Sequence, residues 1–469
     1  LAATFFGLVP AWLWILFGAI FVGGVHDFGS ILISVRNRGR SVAETTRHLV
    51  GPKTARLFIF FLIIALIYLI VAALDLTADT FANTPEVATS AGWFCMVAII
   101  FGWGLGRRIL PYKLLLVVFI PLTFLGLWVG HLFPAPVMSK SFWVGCVLVY
   151  CFAAATLPVH ILLQPRDFLS SMFLYAMLGL GLLGLLFSNT EIQAPLFTGW
   201  SSEASRPQYL VPALFITVAC GACSGFHSVV SSGTTSKQIN LETDIRRVGY
   251  GGMLLEGILA IFAMACVAVF SQDELAGKDA VAIFSQGAAV FMNGLGIPLD
   301  FGREFTALAV STFLLTTLDT CTRLCRFLFE ELLDWTSLVS RYVGSALVLL
   351  VPALLAFQTF EGQPAWKAIW PLFGTTNQLM ASLALVTFVV YLKHQGIRYF
   401  FAYIPMLFML VVPILSLVLM VFSSDTAPLL RLISAGMLVL GLFVSAMSLK
   451  ALSRIQPAKK GVPAEEPAV

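Results

Sequence analysis

Apolar runs of about 20 residues, the length at which an α-helix crosses a bilayer core about 30 Å thick, recur throughout this chain. Soluble domains carry about 25% charged residues. Here charged residues make up 11% of the chain and hydrophobic residues 59%. The runs are continuously apolar rather than alternating, which excludes a β-barrel. The sequence therefore predicts an all-α polytopic integral membrane protein embedded in a lipid bilayer.

We predict thirteen spans from these runs. They cover residues 12–35, 57–75, 90–106, 114–132, 142–163, 168–188, 210–228, 249–270, 305–328, 341–358, 367–392, 399–422 and 428–450.

The Lys and Arg residues give an independent test of this order, because cytoplasmic loops accumulate basic residues. If the first span ends in the cytoplasm, 22 of the 28 basic residues fall on the cytoplasmic side. The other side receives six, namely Lys140, Arg206, Lys278, Arg303, Lys367 and Arg431. This bias predicts a cytoplasmic C-terminus. Basic loops at an anionic leaflet also explain the net charge of +4, so no nucleic-acid partner is expected.

The segment CGACSGFHSVVSSGTTSKQ (220–238) breaks the seventh span with glycines, hydroxyl side chains and a histidine. A bilayer offers the backbone no hydrogen-bond partners, so such a segment either leaves the membrane or lines a wet space. Transporters hold solutes and ions at the free ends of interrupted helices, whereas small residues alone would only allow tight helix packing. We predict a substrate site that includes Gly221, Ser224, Gly225, Phe226, His227, Ser232 and Thr234.

A second polar stretch, FLLTTLDTCTRLCR (313–326), lies inside the ninth span. Thr316, Thr317, Asp319 and Thr320 offer hydroxyls and a carboxylate within about one helical turn, which suits sodium or a proton. The alternative is that the threonines bond to their own helix and that Asp319 pairs with Arg323 at i+4.

The segment WPLFGTTNQLMASLALV (370–386) contains two amide side chains inside a predicted span. Trp370, Pro371 and Gly374 predict a bend, and Asn377 and Gln378 follow it. These two amides either bond across helices or, together with Trp370, contact the substrate.

Four further sites carry ionisable residues. His26 and Asp27 in GGVHDFGS form a candidate proton relay or a gate at the inner end of their helix. Glu256, inside the eighth span, is either a protonated buried acid that could carry a proton or a partner for a nearby polar group. In LLQPRDFLSS, Pro165 is expected to end a helix, which places Arg166 and Asp167 in a tight turn. Asp75 and Asp79, at the end of the second span, are expected to be solvated.

Six stretches carry a family resemblance. They are GGVHDFGSILISVRNRGRSVAE, LQPRDFLSS, ITVACGACSGFHSVVSSGTTSKQ, GYGGMLLEG, TTLDTCTR and WPLFGTTNQLMASLAL. In this order they resemble signature stretches of the carbon starvation protein (CstA) family, over almost the whole chain.

The resemblance implies an inner-membrane protein that is induced on starvation and takes up peptides, with relatives linked to pyruvate. It also implies the core of the amino acid–polyamine–organocation superfamily, a pair of inverted five-helix repeats. Span 210–228 would then be the broken helix of the second repeat. Span 305–328 would supply sodium-binding hydroxyls, which makes Thr316 and Thr317 possible sodium ligands.

The expected organisation has three parts. Residues 1–290 form a CstA-like N-terminal membrane domain, residues 291–452 a C-terminal five-helix region, and residues 453–469 a disordered cytoplasmic tail. Family members carry a further segment, with paired histidines and Gly-Pro motifs, upstream of the stretch matching LAATFFGLVPAWLW. The substrate site expected from this sequence is therefore partial.

The sequence thus predicts an ion-coupled secondary transporter that imports a small peptide or pyruvate-like carboxylate, held by free backbone amides of the interrupted helix. Sodium or protons are the expected coupling ions, and no other cofactor is expected. ATP is not expected either, because the chain lacks the G-x-x-x-x-G-K-[ST] loop. Two alternatives stay open: a membrane-embedded starvation sensor, and an intramembrane enzyme in which Ser224 and His227 form a weak nucleophile and base pair.

Overall fold

A computed structural model describes residues 2–49, 51–107, 111–159, 162–201, 208–275, 278–335, 337–360, 363–423 and 426–454. Over these ranges the chain is mainly helical, with one short antiparallel pair, β1 (Thr359–Phe360) and β2 (Gln363–Pro364). The tail predicted to be disordered falls almost wholly outside the described residues. The all-α prediction is confirmed, because eleven helices within the described ranges are long and apolar enough to cross a membrane.

The helices of the described ranges follow one another in chain order. They are α1 (Ala2–Phe6), α2 (Leu8–Gly18), α3 (Gly24–Arg36), α4 (Val42–Leu49), α5 (Pro52–Asn83), α6 (Pro85–Arg107), α7 (Tyr112–Leu132), α8 (Lys140–Thr156), α9 (Leu163–Phe187), α10 (Leu210–Thr217), α11 (Gly225–Gly233), α12 (Gly251–Ala268), α13 (Gln272–Leu275), α14 (Ala280–Asn293), α15 (Leu299–Leu332), α16 (Leu338–Leu355), α17 (Ala365–His394), α18 (Phe400–Phe422) and α19 (Pro428–Arg454).

Eleven of the thirteen predicted spans coincide with the long apolar helices. The fifth span corresponds to α8, which is 17 residues long. The seventh is split between α10 and α11. Local signals explain several helix starts: Ser139 caps α8 by accepting from the Phe142 amide at 3.3 Å, and Ser337 and Ser340 form a capping box at the start of α16.

The chain forms two compact units, each assembled from separate parts of the sequence. The first contains Leu1–Ala65, Pro195–Ile261 and Ile369–Val469, and the second contains Leu66–Ala194 and Phe262–Ala368. The division at residue 290 is a different one and stays a prediction.

In the first unit, α17 supplies the most continuous buried surface. Every residue from Leu372 to Leu392 is buried. The helix carries Pro371 in its interior yet continues through it to His394. A helix buried on all sides must satisfy its polar side chains within the protein. Asn377 and Gln378 are therefore placed to bond to neighbouring segments.

In the second unit, phenylalanines from four helices form an aromatic core. The ring of Phe173 on α9 is fully buried. Its centroid lies 5.7 Å from that of Phe94, 4.8 Å from that of Phe124 and 6.2 Å from that of Phe305. Rings at such tilted or edge contacts add attraction beyond the burial of their area. This core fixes α6, α7, α9 and α15 around one another.

Two local predictions are wrong. Pro165 is the third residue of α9 and does not end a helix, because proline is tolerated in the first turn, where amides have no intrahelical partner. Arg166 and Asp167 therefore lie within α9. Asp75 is not solvated: α5 continues to Asn83, so this carboxylate is 4% exposed.

Candidate functional site

The seventh predicted span is interrupted, as its glycines and polar side chains predict. α10 ends at Thr217, the chain leaves helical geometry over residues 218–224, and α11 begins at Gly225. A side chain at Gly225 would overlap the Asn377 carbonyl, and its Cβ would lie 2.5 Å from the Ala381 nitrogen. Only glycine therefore lets α11 start this close to α17. The prediction of an interrupted helix is confirmed.

The Asn377 side chain holds the start of α11. Its Oδ1 accepts a hydrogen bond from the Phe226 amide at 2.9 Å, and its Nδ2 lies 3.3 Å from Ser224 Oγ and 3.5 Å from Cys220 Sγ. Gly221 lies in the same non-helical turn. The first amides of a helix have no intrahelical partner, so this amide side chain replaces a missing one. Of the two roles predicted for Asn377, the structure places it in the helix-bridging one.

The end of α10 is held in the same way. Gln378 Nε2 donates to the Phe215 carbonyl, and Trp14 Nε1 donates to the Val218 carbonyl at 2.8 Å. Neighbouring residues of α17 thus satisfy both ends of the break, since Asn377 serves α11 and Gln378 serves α10. The interruption is therefore stabilised by specific side-chain hydrogen bonds.

A π-helical turn over Ala19–Gly23 separates α2 from α3. The Tyr250 hydroxyl donates to the Ile20 carbonyl in this turn at 3.0 Å. Such turns are frequent at functional sites because they shift the helix face that follows them. Here the face that follows carries His26 and Asp27.

His26, Asp27, His227 and Glu256 form one continuous chain of ionisable groups in the first unit. His26 Nδ1 lies 2.7 Å from Asp27 Oδ1, and His227 Nδ1 lies 2.8 Å from Asp27 Oδ2. The other ring nitrogen of His227, Nε2, lies 3.0 Å from Glu256 Oε2. The four residues come from α3, α11 and α12. The structure therefore joins the three predicted proton carriers to the predicted substrate residue His227.

Each of the two contacts of His227 needs a proton between the ring nitrogen and the carboxylate that faces it. If both carboxylates are ionised, each ring nitrogen donates and the imidazole is positively charged. If Glu256 is protonated instead, it donates to Nε2 and the imidazole is neutral. These two states differ by the transfer of one proton across a 3.0 Å contact. The arrangement can therefore pass a proton between Glu256 and His227.

Exposure rises along the chain of ionisable groups. The side chains of His26 and Asp27 are 0% and 8% exposed, whereas those of His227 and Glu256 are 23% and 31% exposed. His26 Nε2 is buried and has no hydrogen-bond partner among the described residues. Glu256 is thus the accessible end of the chain, and His26 is its closed end.

The remaining predicted substrate residues of the first unit lie outside the chain of ionisable groups. Ser232 is fully buried and accepts from the Val42 amide at 3.0 Å, which fixes α11 to α4. Thr234 follows the end of α11 and is half-buried. Trp370 is half-buried on α17, with its ring 5.2 Å from that of Phe373. Ser232 is therefore placed for packing between helices.

The second unit contains its own buried ion pair. Arg166 on α9 and Asp319 on α15 are both 0% exposed, and Arg166 Nη1 donates to Asp319 Oδ2. The Tyr150 hydroxyl on α8 donates to the same carboxylate oxygen at 2.7 Å. Arg323, the predicted i+4 partner, instead donates to backbone carbonyls at the end of α8. Asp319 is therefore bonded to Arg166 and Tyr150, which the sequence reasoning did not connect with it.

The threonines predicted to bind sodium lie beside this pair. Thr316 Oγ1 accepts from Arg166 Nη2 at 2.7 Å and lies 3.1 Å from the carbonyl four residues earlier. Thr317 bonds to its own helix in the same way at 3.1 Å, and Thr320 is half-buried. A signal for Arg166 was present in the sequence, since an arginine inside an apolar helix needs a buried carboxylate elsewhere.

Within the described residues, no group of three or more His, Cys, Asp or Glu side chains is arranged to hold a metal ion.

Similarity to solved structures is weak. A manganese transporter from Eremococcus coleocola aligns with 95% of this chain and 96% of its own at 11% identity and a TM-score of 0.45. MhsT in complex with L-phenylalanine aligns with 94% of this chain and 98% of its own at 14% identity and a TM-score of 0.36. Both TM-scores lie below 0.5.

Sequence relatives are closer. The protein named "Peptide transporter CstA" of Mycobacterium tuberculosis is 30% identical over 480 residues, which cover 86% of this chain and 63% of the relative. "Pyruvate/proton symporter BtsT" of Escherichia coli is 28% identical over 515 residues, covering 89% of this chain and 71% of the relative. This chain therefore spans less than two thirds of the length of the mycobacterial relative.

The family model described as "Carbon starvation protein CstA" matches residues 1–278 and 273–416. These matches cover most of the chain and include the interrupted helix, the four ionisable groups and the Arg166–Asp319 pair. The chain belongs to the carbon starvation protein CstA family.

Proposed function

We propose that this protein is a secondary transporter that imports a small organic carboxylate, of the peptide or pyruvate class, together with protons. The observation that carries the proposal is the position of His227. It lies on the first turn of α11, directly after the interruption, and bridges the carboxylates of Asp27 and Glu256. A group at this place adjoins the start of a helix and can exchange protons with its neighbours.

The solute class is supported by the helix start and by the relatives. The N-terminus of α11 carries partial positive charge, which attracts a solute carboxylate, and a charged imidazole on its first turn offsets one of the two neighbouring carboxylates. The mycobacterial relative is named a peptide transporter, and the Escherichia coli relative is named a pyruvate/proton symporter.

Protons are favoured over sodium by the surroundings of Asp319. Arg166 already supplies a positive charge to Asp319 and also bonds to Thr316. A sodium ion would have to compete with this guanidinium for the same oxygens. The first unit, in contrast, offers imidazoles and carboxylates in direct contact, which are the usual groups of proton relays in transporters.

Coupling follows from the two protonation states of His227. Proton uptake through Glu256 makes the imidazole positive, which strengthens the binding of a solute carboxylate beside it. Proton loss to the other side makes the imidazole neutral and weakens that binding. Proton and solute therefore favour each other's binding, as linkage requires.

The test is uptake into proteoliposomes that contain the purified protein. Radiolabelled pyruvate and a radiolabelled dipeptide are supplied with an inward proton gradient, with an inward sodium gradient, or with neither. The proton gradient is expected to drive accumulation of at least one solute. Asp27→Asn and Glu256→Gln are each expected to lower proton-driven accumulation at least about tenfold, while solute exchange without a gradient continues.

Glu191→Gln is the matched control, because Glu191 is exposed in a loop and lies outside the ionisable chain. This variant should transport like the wild type. Uptake that responds to neither gradient would refute coupled transport. Uptake driven by sodium alone, with Asp27→Asn and Glu256→Gln unaffected, would refute the proton assignment.

We also propose that the protein resides in the cell inner membrane with its C-terminus in the cytoplasm. The excess of Lys and Arg on one side of the predicted spans supports this orientation, and the family's description supports a role during carbon starvation. A C-terminal fusion to a reporter that is active only outside the cytoplasm should give no signal.

A further inference from the structure

The second unit contains a cavity of about 450 Å³ that the proposed transport site does not use. It is lined by residues from the C-terminal end of α5 and from the beginnings of α8, α14 and α17. Its volume lies within the range of about 300–1,000 Å³ typical of small-molecule sites. None of the residues of the two ionisable clusters lines it.

In one part of the lining, two carboxylates share a single lysine. Lys140 Nζ lies 2.8 Å from Asp75 Oδ2 and 3.2 Å from Asp79 Oδ1. Asn83 Nδ2 also donates to Asp79 at 3.1 Å. These two carboxylates therefore have partners within the protein.

Two other lysines of the lining make their close contacts with neutral groups. Lys278 Nζ donates to Gln286 Oε1 at 3.3 Å and lies 5.7 Å from the centroid of the Phe270 ring. Lys367 Nζ lies 5.6 Å from the centroid of Trp366. Among the described residues, no carboxylate oxygen lies within 4 Å of either ammonium. Both charges are thus available to a ligand.

Backbone dipoles add to these charges. α8, α14 and α17 all begin at the cavity, with Asp279 as the residue that caps α14. The positive ends of three helices therefore lie near the two lysines. Asp75, Asp79 and Asp279 balance the three lysines of the lining and would repel a multiply charged anion such as phosphate, whereas a single carboxylate can approach Lys278 and Lys367 locally. The largely buried indole of Trp366 provides an apolar wall beside it.

We propose that this cavity binds a small organic solute through one carboxylate held by Lys278 and Lys367. Both lysines belong to the six basic residues that the topology places on the non-cytoplasmic side, so the cavity would capture the solute before transport. Only this role in capture rests on the proposed transport function. Binding itself is independent of transport and is measured separately.

Binding is tested by lysine footprinting of the purified full chain. The protein is acetylated with and without pyruvate, and mass spectrometry follows each lysine. Pyruvate, but not the uncharged methyl pyruvate or an equal concentration of chloride, is expected to slow acetylation of Lys278 and Lys367 about threefold or more. The exposed Lys53 and Lys113 serve as internal controls and should react at unchanged rates. Equal rates at all four lysines, or protection by phosphatidylglycerol and not by pyruvate, would overturn the proposal.

The role in capture is tested by uptake kinetics in proteoliposomes. Lys278→Gln with Lys367→Gln is expected to raise the apparent KM for pyruvate about three- to tenfold with little change in maximal rate, as two partly exposed charge contacts predict. Asp79→Asn removes a repulsive charge and should lower the apparent KM. The matched control is Lys53→Gln with Lys113→Gln. If wild-type protein transports nothing, the transport proposal fails while footprinting still decides the cavity. If the wild type transports pyruvate, and if neither Lys278→Gln with Lys367→Gln nor Asp79→Asn changes the apparent KM, the capture role fails.

Discussion

The buried pair of Arg166 and Asp319 gives a prediction that can be worked out from its contacts. Both side chains are 0% exposed, and the carboxylate oxygen that binds Arg166 also accepts from Tyr150. Asp319→Asn leaves the buried guanidinium with only the partly exposed Asp167 carboxylate, 3.9 Å from its Nη2, as a counter-charge. Arg166→Met leaves the carboxylate with Tyr150 alone. Removing one partner of such a pair costs about 3–5 kcal/mol of folding free energy.

The double variant is expected to be much less damaging than the two single variants suggest. With both charges gone, the side-chain carbonyl introduced by Asp319→Asn would still accept the Tyr150 hydroxyl. Asp167, whose side chain is 40% exposed, would lose a weak contact at 3.9 Å, and Thr316 would lose a donor. That loss costs about 1–3 kcal/mol. The single substitutions together cost about 6–10 kcal/mol on the figures for each. The interaction free energy should therefore be at least about 3 kcal/mol.

The measurement is reversible unfolding by sodium dodecyl sulfate in mixed micelles, followed by tryptophan fluorescence. Wild type, the two single variants and the double variant are compared in one cycle. Tyr150→Phe gives an internal scale, because it removes one hydrogen bond to a charged group, worth about 1.5–3 kcal/mol. Additivity of the single substitutions within about 0.5 kcal/mol would refute the pairing, since distant sites behave in that way.

Two further predictions concern the interruption. Gly225→Ala forces a Cβ against the α17 backbone at Asn377 and Ala381, so it should destabilise the protein by at least about 1–3 kcal/mol. A thermal midpoint in detergent equal to that of the wild type would contradict this close approach of the two helices. Gln378→Leu leaves the Phe215 carbonyl without its donor and should cost about 1–3 kcal/mol. Gln378→Glu should keep the side-chain volume but also lose this hydrogen bond. Equal thermal midpoints of the wild type and both variants would contradict the role of Gln378.

The spans and the interruption could be predicted because both follow from the immediate sequence. An apolar run of the required length has few alternatives to a helix in a bilayer. Glycine and serine inside such a run weaken the helix, and the break between Thr217 and Gly225 falls at these residues. The hydrogen-bond partners of the two helix ends at the break do not follow from the immediate sequence. Asn377 and Gln378 were predicted as either bridging or substrate-binding groups, and only the fold shows which segments they face.

The ionic pairings could not be predicted, because they join residues far apart in the chain. Arg323 lies four residues after Asp319 and was therefore its nearest candidate partner, but Arg166 lies 153 residues away and takes that place. Asp75 was expected to be solvated because the apolar window ends there. The helix continues beyond it, and Lys140 from another helix neutralises it. Local patterns identify such groups as unusual, but tertiary packing decides their partners.

The two ionisable clusters differ in a way that separates their roles. In the second unit the positive partner is a guanidinium, which keeps its proton in proteins, so Arg166 and Asp319 form a fixed pair. In the first unit the positive partner is an imidazole, whose charge depends on its proton, and both of its nitrogens face carboxylates. A fixed pair holds helices in register, whereas the imidazole chain changes charge as it gains or loses one proton. In the proposed mechanism, the coupling proton is therefore carried by His227 and its neighbours, and substitutions at Asp319 should act mainly through stability.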